Sequence, residues 1–329
     1  MLNAGMVYRD WLACYDGTRE AAASLVGARA HEIALTKNTS EGLSFIANGL
    51  DWRSGDIAVG VREDFPANVF PWTRLGPSGV KLRWLELRDG QLDYDEIDRA
   101  CEGARLLAVS FVHYLTGFRL DLERVGEICK RRGCLFVVDA VQGLGPFKVD
   151  VGRAGVHALS ASAHKWLLGP EGSAFLFVAD ELGEQVEPIE FGWTNVTGFP
   201  EFSREENVRP DAGRFECGTL NTVGYYGLRE SLGLFLEAGV ERIQDKVDGL
   251  AQSVLEKCQE KGYEAATVRA PENGSGIVSV RKAGVDAASV VAGLADKRMS
   301  VSTRHGWIRA SPHFYNTEEE VDQLVELLP

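Results

Sequence analysis

The stretch SASAHKWLLGPEG, residues 160–172, holds a lysine in an unusual place. Lys165 follows a strand-like run, stands beside His164 and precedes a loop of glycine and proline. Lysine becomes a nucleophile when desolvation or nearby cations lower its pKa, and Schiff-base chemistry then opens to it. A lysine at a strand end is equally an ordinary solvated charge. A second candidate is Asp139, which ends the apolar run of FVVDAVQG. Open parallel sheets bind ligands at the carboxyl ends of their strands. A carboxylate there suits the ring nitrogen of a pyridine-type cofactor, which must stay protonated to absorb negative charge. Gln142, on the same segment, could reach an oxygen of that ring. The plain alternative for Asp139 is a helix N-cap. A third element is KNTSEGLSF, residues 37–45, where Thr39 and Ser40 open a helix. Hydroxyls and unpaired amides at a helix start form an anion site suited to a phosphate. The same two residues would also cap a helix that binds nothing.

These groups need strands to carry them. Apolar runs at 32–37, 56–61, 81–87, 106–112, 134–140, 157–162 and 173–178 read as strands. Several are apolar throughout, as strands covered on both faces are. Helical patterns such as SEGLSFIANGL and LDLERVGEICKRRG lie between them, the second stopping at Gly133. The alternation predicts an α/β fold of three layers, with a mostly parallel sheet between helices. One long helical pattern runs from Val223 to Glu260, and a smaller α+β pattern follows. Thr317 with Glu320 reads as a capping box at the start of its last helix. The expected division is a large domain over 1–225 and a small C-terminal domain over 226–329.

Composition removes several functions. A formal net charge of -13 repels phosphate backbones, which argues against nucleic-acid binding. No apolar run reaches the length of about 20 residues that a membrane span needs. MLNAGMVYRDW lacks the basic-then-apolar pattern of a leader. The six cysteines, Cys14, Cys101, Cys129, Cys134, Cys217 and Cys258, show no CxxC pair and no metal-ligand spacing. They read as reduced thiols of a cytoplasmic protein without a metal.

Taken together and in this order, the segments resemble the class V aminotransferase group of fold-type I pyridoxal-phosphate (PLP) enzymes. That group includes cysteine desulfurases, selenocysteine lyases and isopenicillin-N-epimerase-like proteins. The resemblance runs from about residue 18 to the C-terminus, and DAVQ…SAHKWLLGPEG is its most specific part. It implies that Lys165 forms the internal aldimine with PLP. It also implies that Asp139 pairs with the pyridine nitrogen and that Gln142 meets the ring oxygen. Thr39, Ser40, Ser162 and His164 would hold the phosphate. RFECGTLN, residues 214–221, would carry Thr219 into the phosphate site of a neighbouring subunit, implying a homodimer. IRASPHFYNTEEEVD, residues 308–322, assigns Arg309 to the carboxylate of an amino-acid substrate, a task for a bidentate guanidinium. His113 and His313 read as structural.

Three features depart from the group's pattern. Desulfurases carry a nucleophilic cysteine shortly before the carboxylate-binding arginine, and Met299–Ser311 has none. That loop also reads as shortened. In EDFPAN, Phe65 falls where desulfurases stack a histidine on the ring, and Tyr114 falls where they have an asparagine. Phenylalanine stacks but transfers no proton, whereas the phenol of Tyr114 could bond the ring oxygen or act as an acid. Relatives also carry some tens more residues before the GTREAAASLVGA stretch. The expected function is therefore chemistry at an amino acid's α-carbon: transamination, epimerisation or elimination. A cysteine desulfurase or selenocysteine lyase is the second reading. A catalytically weak PLP-binding protein is the third.

Overall fold

The runs over 32–178 all become strands of one sheet. In the computed structural model, which describes residues 8–199 and 207–329, these are β1 (Ile33–Thr36), β2 (Ile57–Val61), β3 (Lys81–Leu85), β4 (Leu106–Ser110), β5 (Leu135–Asp139), β6 (Ala158–Ser162) and β7 (Ala174–Val178). Their order is β1-β7-β6-β5-β4-β2-β3. Strands β3, β2, β4, β5 and β6 are parallel, and β7 runs antiparallel to both β6 and β1. The fold is therefore the mixed α/β architecture that the alternation predicted. β6 and β7 are buried along their whole length, which explains why they read as unbroken apolar runs.

Helices α1 (Tyr8–Val26), α2 (Thr39–Gly49), α3 (Phe70–Thr73), α4 (Tyr94–Cys101), α5 (Leu122–Arg132) and α6 (Asp180–Gly183) connect or flank these strands. The leader reading and the start of the chain fall mostly on residues 1–7, which lie outside the described residues. The long pattern after Val223 is two helices, α7 (Thr222–Ala238) and α8 (Val240–Glu260). They part at Gly239, whose φ of 83° leaves the right-handed helical region.

α7 packs with α1, and its buried Tyr225, Leu228, Leu232 and Phe235 belong to the main core. A further core forms around Leu250, Val254, Val280, Leu294, Ile308 and Val321. It joins α8, α9 (Ala287–Asp296) and α10 (Glu318–Leu327) to an antiparallel sheet. That sheet consists of β8 (Glu264–Ala265), β9 (Val278–Arg281), β10 (Ser302–Arg304) and β11 (Trp307–Ala310), in the order β10-β11-β9-β8. Thr317 and Glu320 form the expected capping box on α10.

The cysteines correct the spacing argument. The sulfurs of buried Cys101, Cys129 and Cys134 lie within 4.8 Å of one another. They come from α4, α5 and the approach to β5, so the fold gathers thiols that linear spacing separates. No described helix is long and apolar enough to cross a membrane.

Candidate active site

β5 ends at Asp139 and β6 at Ser162, so two neighbouring parallel strands deliver both groups to one end of the sheet. Asp139 is buried. Its Oδ1 accepts from the Val141 amide at 3.0 Å, while its Oδ2 is buried with no partner among the described residues. Burial, and then the charge of Asp64, push the Asp139 carboxyl up to about 7. Lys165, on the turn after β6, has its pKa lowered chiefly by burial; Asp139 opposes that shift, while Arg309 and Arg304 reinforce it. Its Nζ lies 5.2 Å from the centre of the Phe65 ring.

The helix start that was read as an anion site is built differently from its simplest form. Asn38, not Thr39 or Ser40, caps α2, its side chain accepting from the Glu41 amide at 3.0 Å. Thr39 is thereby free for another contact. Its amide donates to the Ser162 hydroxyl at 2.8 Å, and its own hydroxyl lies 2.9 Å from the same oxygen. α2 comes this close because residue 42 is glycine: a Cβ there would meet the Ser160 hydroxyl at 2.4 Å. Ser40 and His164 are exposed beside this Thr39–Ser162 pair.

A cleft of about 390 Å³ opens next to it, lined by Phe65, Tyr114, Gln142, Lys165, Trp166, Arg304, Arg309, Ser311, His313 and Tyr315. Gln142 Oε1 accepts from Trp166 Nε1 at 3.1 Å and from Arg309 at 3.4 Å, leaving its amide nitrogen to donate elsewhere. Arg309 Nε is buried without a partner among the described residues. Burial, then Arg304, bring the Arg309 guanidinium down to about 10. His113 bonds the Glu63 carbonyl at 3.0 Å and the Thr116 hydroxyl at 3.2 Å, which fixes a turn. His313 bonds the Trp166 carbonyl at 3.0 Å and also borders the cleft.

Within one chain, Thr219 does not join this group. It is exposed on a separate cavity of about 370 Å³ that also involves Trp11, Tyr15 and Arg19. Its segment is anchored by buried Glu216, which accepts from the Leu35 amide at 2.8 Å and pairs with Arg19 at 2.5 Å.

Two features of the site escaped the sequence. Asp64 accepts from the Ser110 hydroxyl at 2.7 Å, and Ser110 is the register partner of Asp139, so a second buried carboxylate sits close to the first. Its signal was available, since Asp64 follows an apolar strand much as Asp139 ends one. The other is the tip of the β10–β11 hairpin. His305 Nε2 lies 3.2 Å from the Tyr114 hydroxyl, and Arg304 joins the cleft wall.

Residues 8–324 match the family described as Aminotransferase class-V. A probable cysteine desulfurase of Methanothermobacter thermautotrophicus is 32% identical over 94% of this chain and 82% of its own length. An uncharacterized aminotransferase of Bacillus subtilis, YcbU, is 30% identical over 99% of this chain and 86% of its own. The apo structure of a cysteine desulfurase from Thermococcus onnurineus superposes with a TM-score of 0.91 at 30% identity, covering 97% of this chain and 84% of that one. A solved structure with the same fold carries glycine covalently linked to its PLP. The residues on this site fit that cofactor. The partnerless Asp139 Oδ2 matches a protonated ring nitrogen, the Gln142 amide a ring oxygen, Lys165 an aldehyde carbon, and the α2 start with Ser162 and His164 a phosphate. A buried oxygen left unpaired costs about 1–3 kcal/mol, and a bound donor removes that cost.

Proposed function

Since the chain belongs to the class V aminotransferases, enzymes that use pyridoxal phosphate, we propose that it acts at the α-carbon of an amino acid through a cofactor carried on Lys165. Transamination, epimerisation and elimination all fall within this reading. The observation that carries it is the meeting of Lys165, Gln142 and Arg309 in one cleft, with Asp139 buried behind it, acting on the charge of Lys165, its Oδ2 without a partner among the described residues.

When bound, the cofactor supplies a cationic ring that withdraws electrons from the bonds at the α-carbon. Asp139, through its partnerless Oδ2, would keep the ring nitrogen protonated. Phe65 would cover a face of the ring, and the free Gln142 amide would donate to its oxygen. Arg309 grips the substrate carboxylate and so fixes which α-bond stands in line for cleavage. The Lys165 amine, lowered in pKa chiefly by burial, would be the group to take the α-proton and return it once released from the cofactor. Thr219, exposed and on a different cavity from Lys165 within its own chain, would complete the phosphate site of a second copy. That makes the working unit a homodimer.

Cysteine desulfurization is the second reading, favoured by the names of several relatives. Against it stands the β10–β11 turn. Only His305 and Gly306, with φ of 50° and 81°, separate the two strands, and so short a turn has no room for a mobile thiol. No described cysteine lines the cleft. Cys217 bonds Glu190 at 3.3 Å, and burial raises its pKa.

The test incubates the PLP-loaded protein with single amino acids and assays oxo acids, pyruvate, alanine and inverted stereochemistry. L-Cysteine is included, followed by mass spectrometry of the intact, unreduced chain. Oxo acid, pyruvate or inverted product, with no protein-bound sulfur, is expected. A stoichiometric sulfur adduct with matching alanine would transfer the assignment to desulfurization. No product from any amino acid would leave a cofactor-binding protein without this activity.

A further inference from the structure

We propose that Arg304 is a second anion-binding residue and that the preferred substrates are amino acids whose side chain carries its own negative group. The proposal rests on the reading of Lys165 and Arg309 as the amino-acid site.

The hairpin register sets the geometry. Ser302 faces Arg309 and Arg304 faces Trp307. Cross-strand partners, and residues two apart along a strand, point to the same side. Arg304 and Arg309 therefore project from one face as diagonal neighbours, about 7–8 Å apart at the backbone. Side chains rooted at that spacing can converge on two anions a few bonds apart, and both line the cleft that contains Lys165.

Charge points the same way. The chain holds 48 acidic residues against 35 lysines and arginines. Many of its guanidiniums are accordingly paired, as Arg29, Arg132 and Arg209 are. Neither Arg304 nor Arg309 has a carboxylate partner among the described residues. Among the described residues, Arg304 makes only a donation to the adjacent Thr303 carbonyl, at 2.8 Å. The cleft lining contains Lys165, Arg304 and Arg309 but no aspartate or glutamate. Glu63, whose carbonyl bonds His113, acts on the Tyr114 phenol electrostatically, and no ion pair between it and Arg304 is found among the described residues. An amino acid with one carboxylate engages Arg309 and leaves Arg304 facing solvent. A side-chain carboxylate, sulfinate or phosphate would engage both.

The tip that carries Arg304 is also held in place. The Tyr114–His305 contact ties the turn to the large sheet's side of the cleft, so less ordering is left for binding to accomplish.

The test measures binding of succinate and butyrate to the PLP-loaded protein by titration calorimetry at low salt. Neither ligand has an amino group, so no reaction follows. Succinate is expected to bind about three- to fivefold more tightly than butyrate, a modest factor because Arg304 is exposed. Arg304→Gln should abolish that preference, and Arg304→Lys should restore part of it. Arg309→Ala should weaken both ligands. If the wild type binds the two equally while Arg309→Ala still weakens both, the second anion site is wrong and the amino-acid site stands. If Arg309→Ala leaves the binding of both unchanged, the site reading itself fails, and this proposal with it.

Discussion

Asp139 and Arg309 both act on the charge of Lys165, from elements built on different principles. β5 lies inside a parallel sheet, buried at all but its first residue, so Asp139 sits where water cannot follow. β11 belongs to a four-stranded antiparallel sheet, alternates half-buried with buried residues, and joins β10 by a two-residue turn at the cleft's edge. The first arrangement sets electrostatics by exclusion of solvent; the second sets geometry by register. A group on the buried side is tuned by what surrounds it, and a group on the hairpin is tuned by where its neighbours in the register point.

The largest effect belongs to the residue between the two regions. Lys165→Ala should prevent borohydride from linking the cofactor to the chain and should lower turnover by about a thousandfold or more. The α2 start, Ser162 and His164 remain in this variant, so PLP should still bind reversibly. Mass spectrometry of the reduced protein and equilibrium dialysis separate the two results. A covalent adduct retained on another lysine would dissolve the division between carrying the cofactor and cradling it.

Asp139 provides a smaller effect with a definite sign. In the cofactor-free fold its carboxyl stands at about 7, raised by burial and by Asp64, against about 4 in an unfolded chain. The folded state therefore binds the proton more tightly than the unfolded state. Stability from this group is fully present below about pH 4 and is lost as pH rises toward about 7. The loss is on the order of 4 kcal/mol at most. Asp139→Asn keeps the shape and cannot ionise, so urea unfolding of the cofactor-free variant should lose less stability across that interval. Parallel pH profiles for the two proteins would show that the buried-side argument does not hold.

The same contrast governs what the sequence could disclose. The large sheet was legible because its strands are covered on both faces and read as apolar runs. Lys165 and Asp139 stood out because a charge at the end of such a run is conspicuous. The cap of α2 was misplaced by one residue, since Asn38, Thr39 and Ser40 are all capping types and only tertiary contact with Ser162 selects among them. The break at Gly239 was hidden because apolar spacing continues across it. Contacts such as Tyr114 with His305, or Cys101 with Cys129 and Cys134, join segments whose proximity only the fold creates. Arg304 was visible as a residue of the cysteine-free segment, but its shared face with Arg309 depends on a register set by the two-residue turn.

The smallest effect isolates the hairpin tip. The Tyr114–His305 contact at 3.2 Å is exposed, and net contributions of such bonds cluster near about 1 kcal/mol or below. Two variants separate its parts. Tyr114→Phe removes the bond and leaves the turn untouched. His305→Asn removes the bond but places at φ 50° a residue that tolerates the left-handed region and favours this turn type. If the tether orders the tip, both variants should weaken succinate binding by a similar small factor, while Tyr114→Phe alone lowers global stability and His305→Asn leaves it level or raises it. Calorimetric binding and urea midpoints give the two readouts. Unchanged succinate binding in both variants would mean that the short turn positions Arg304 without help from the large sheet, and that register alone governs this wall of the cleft.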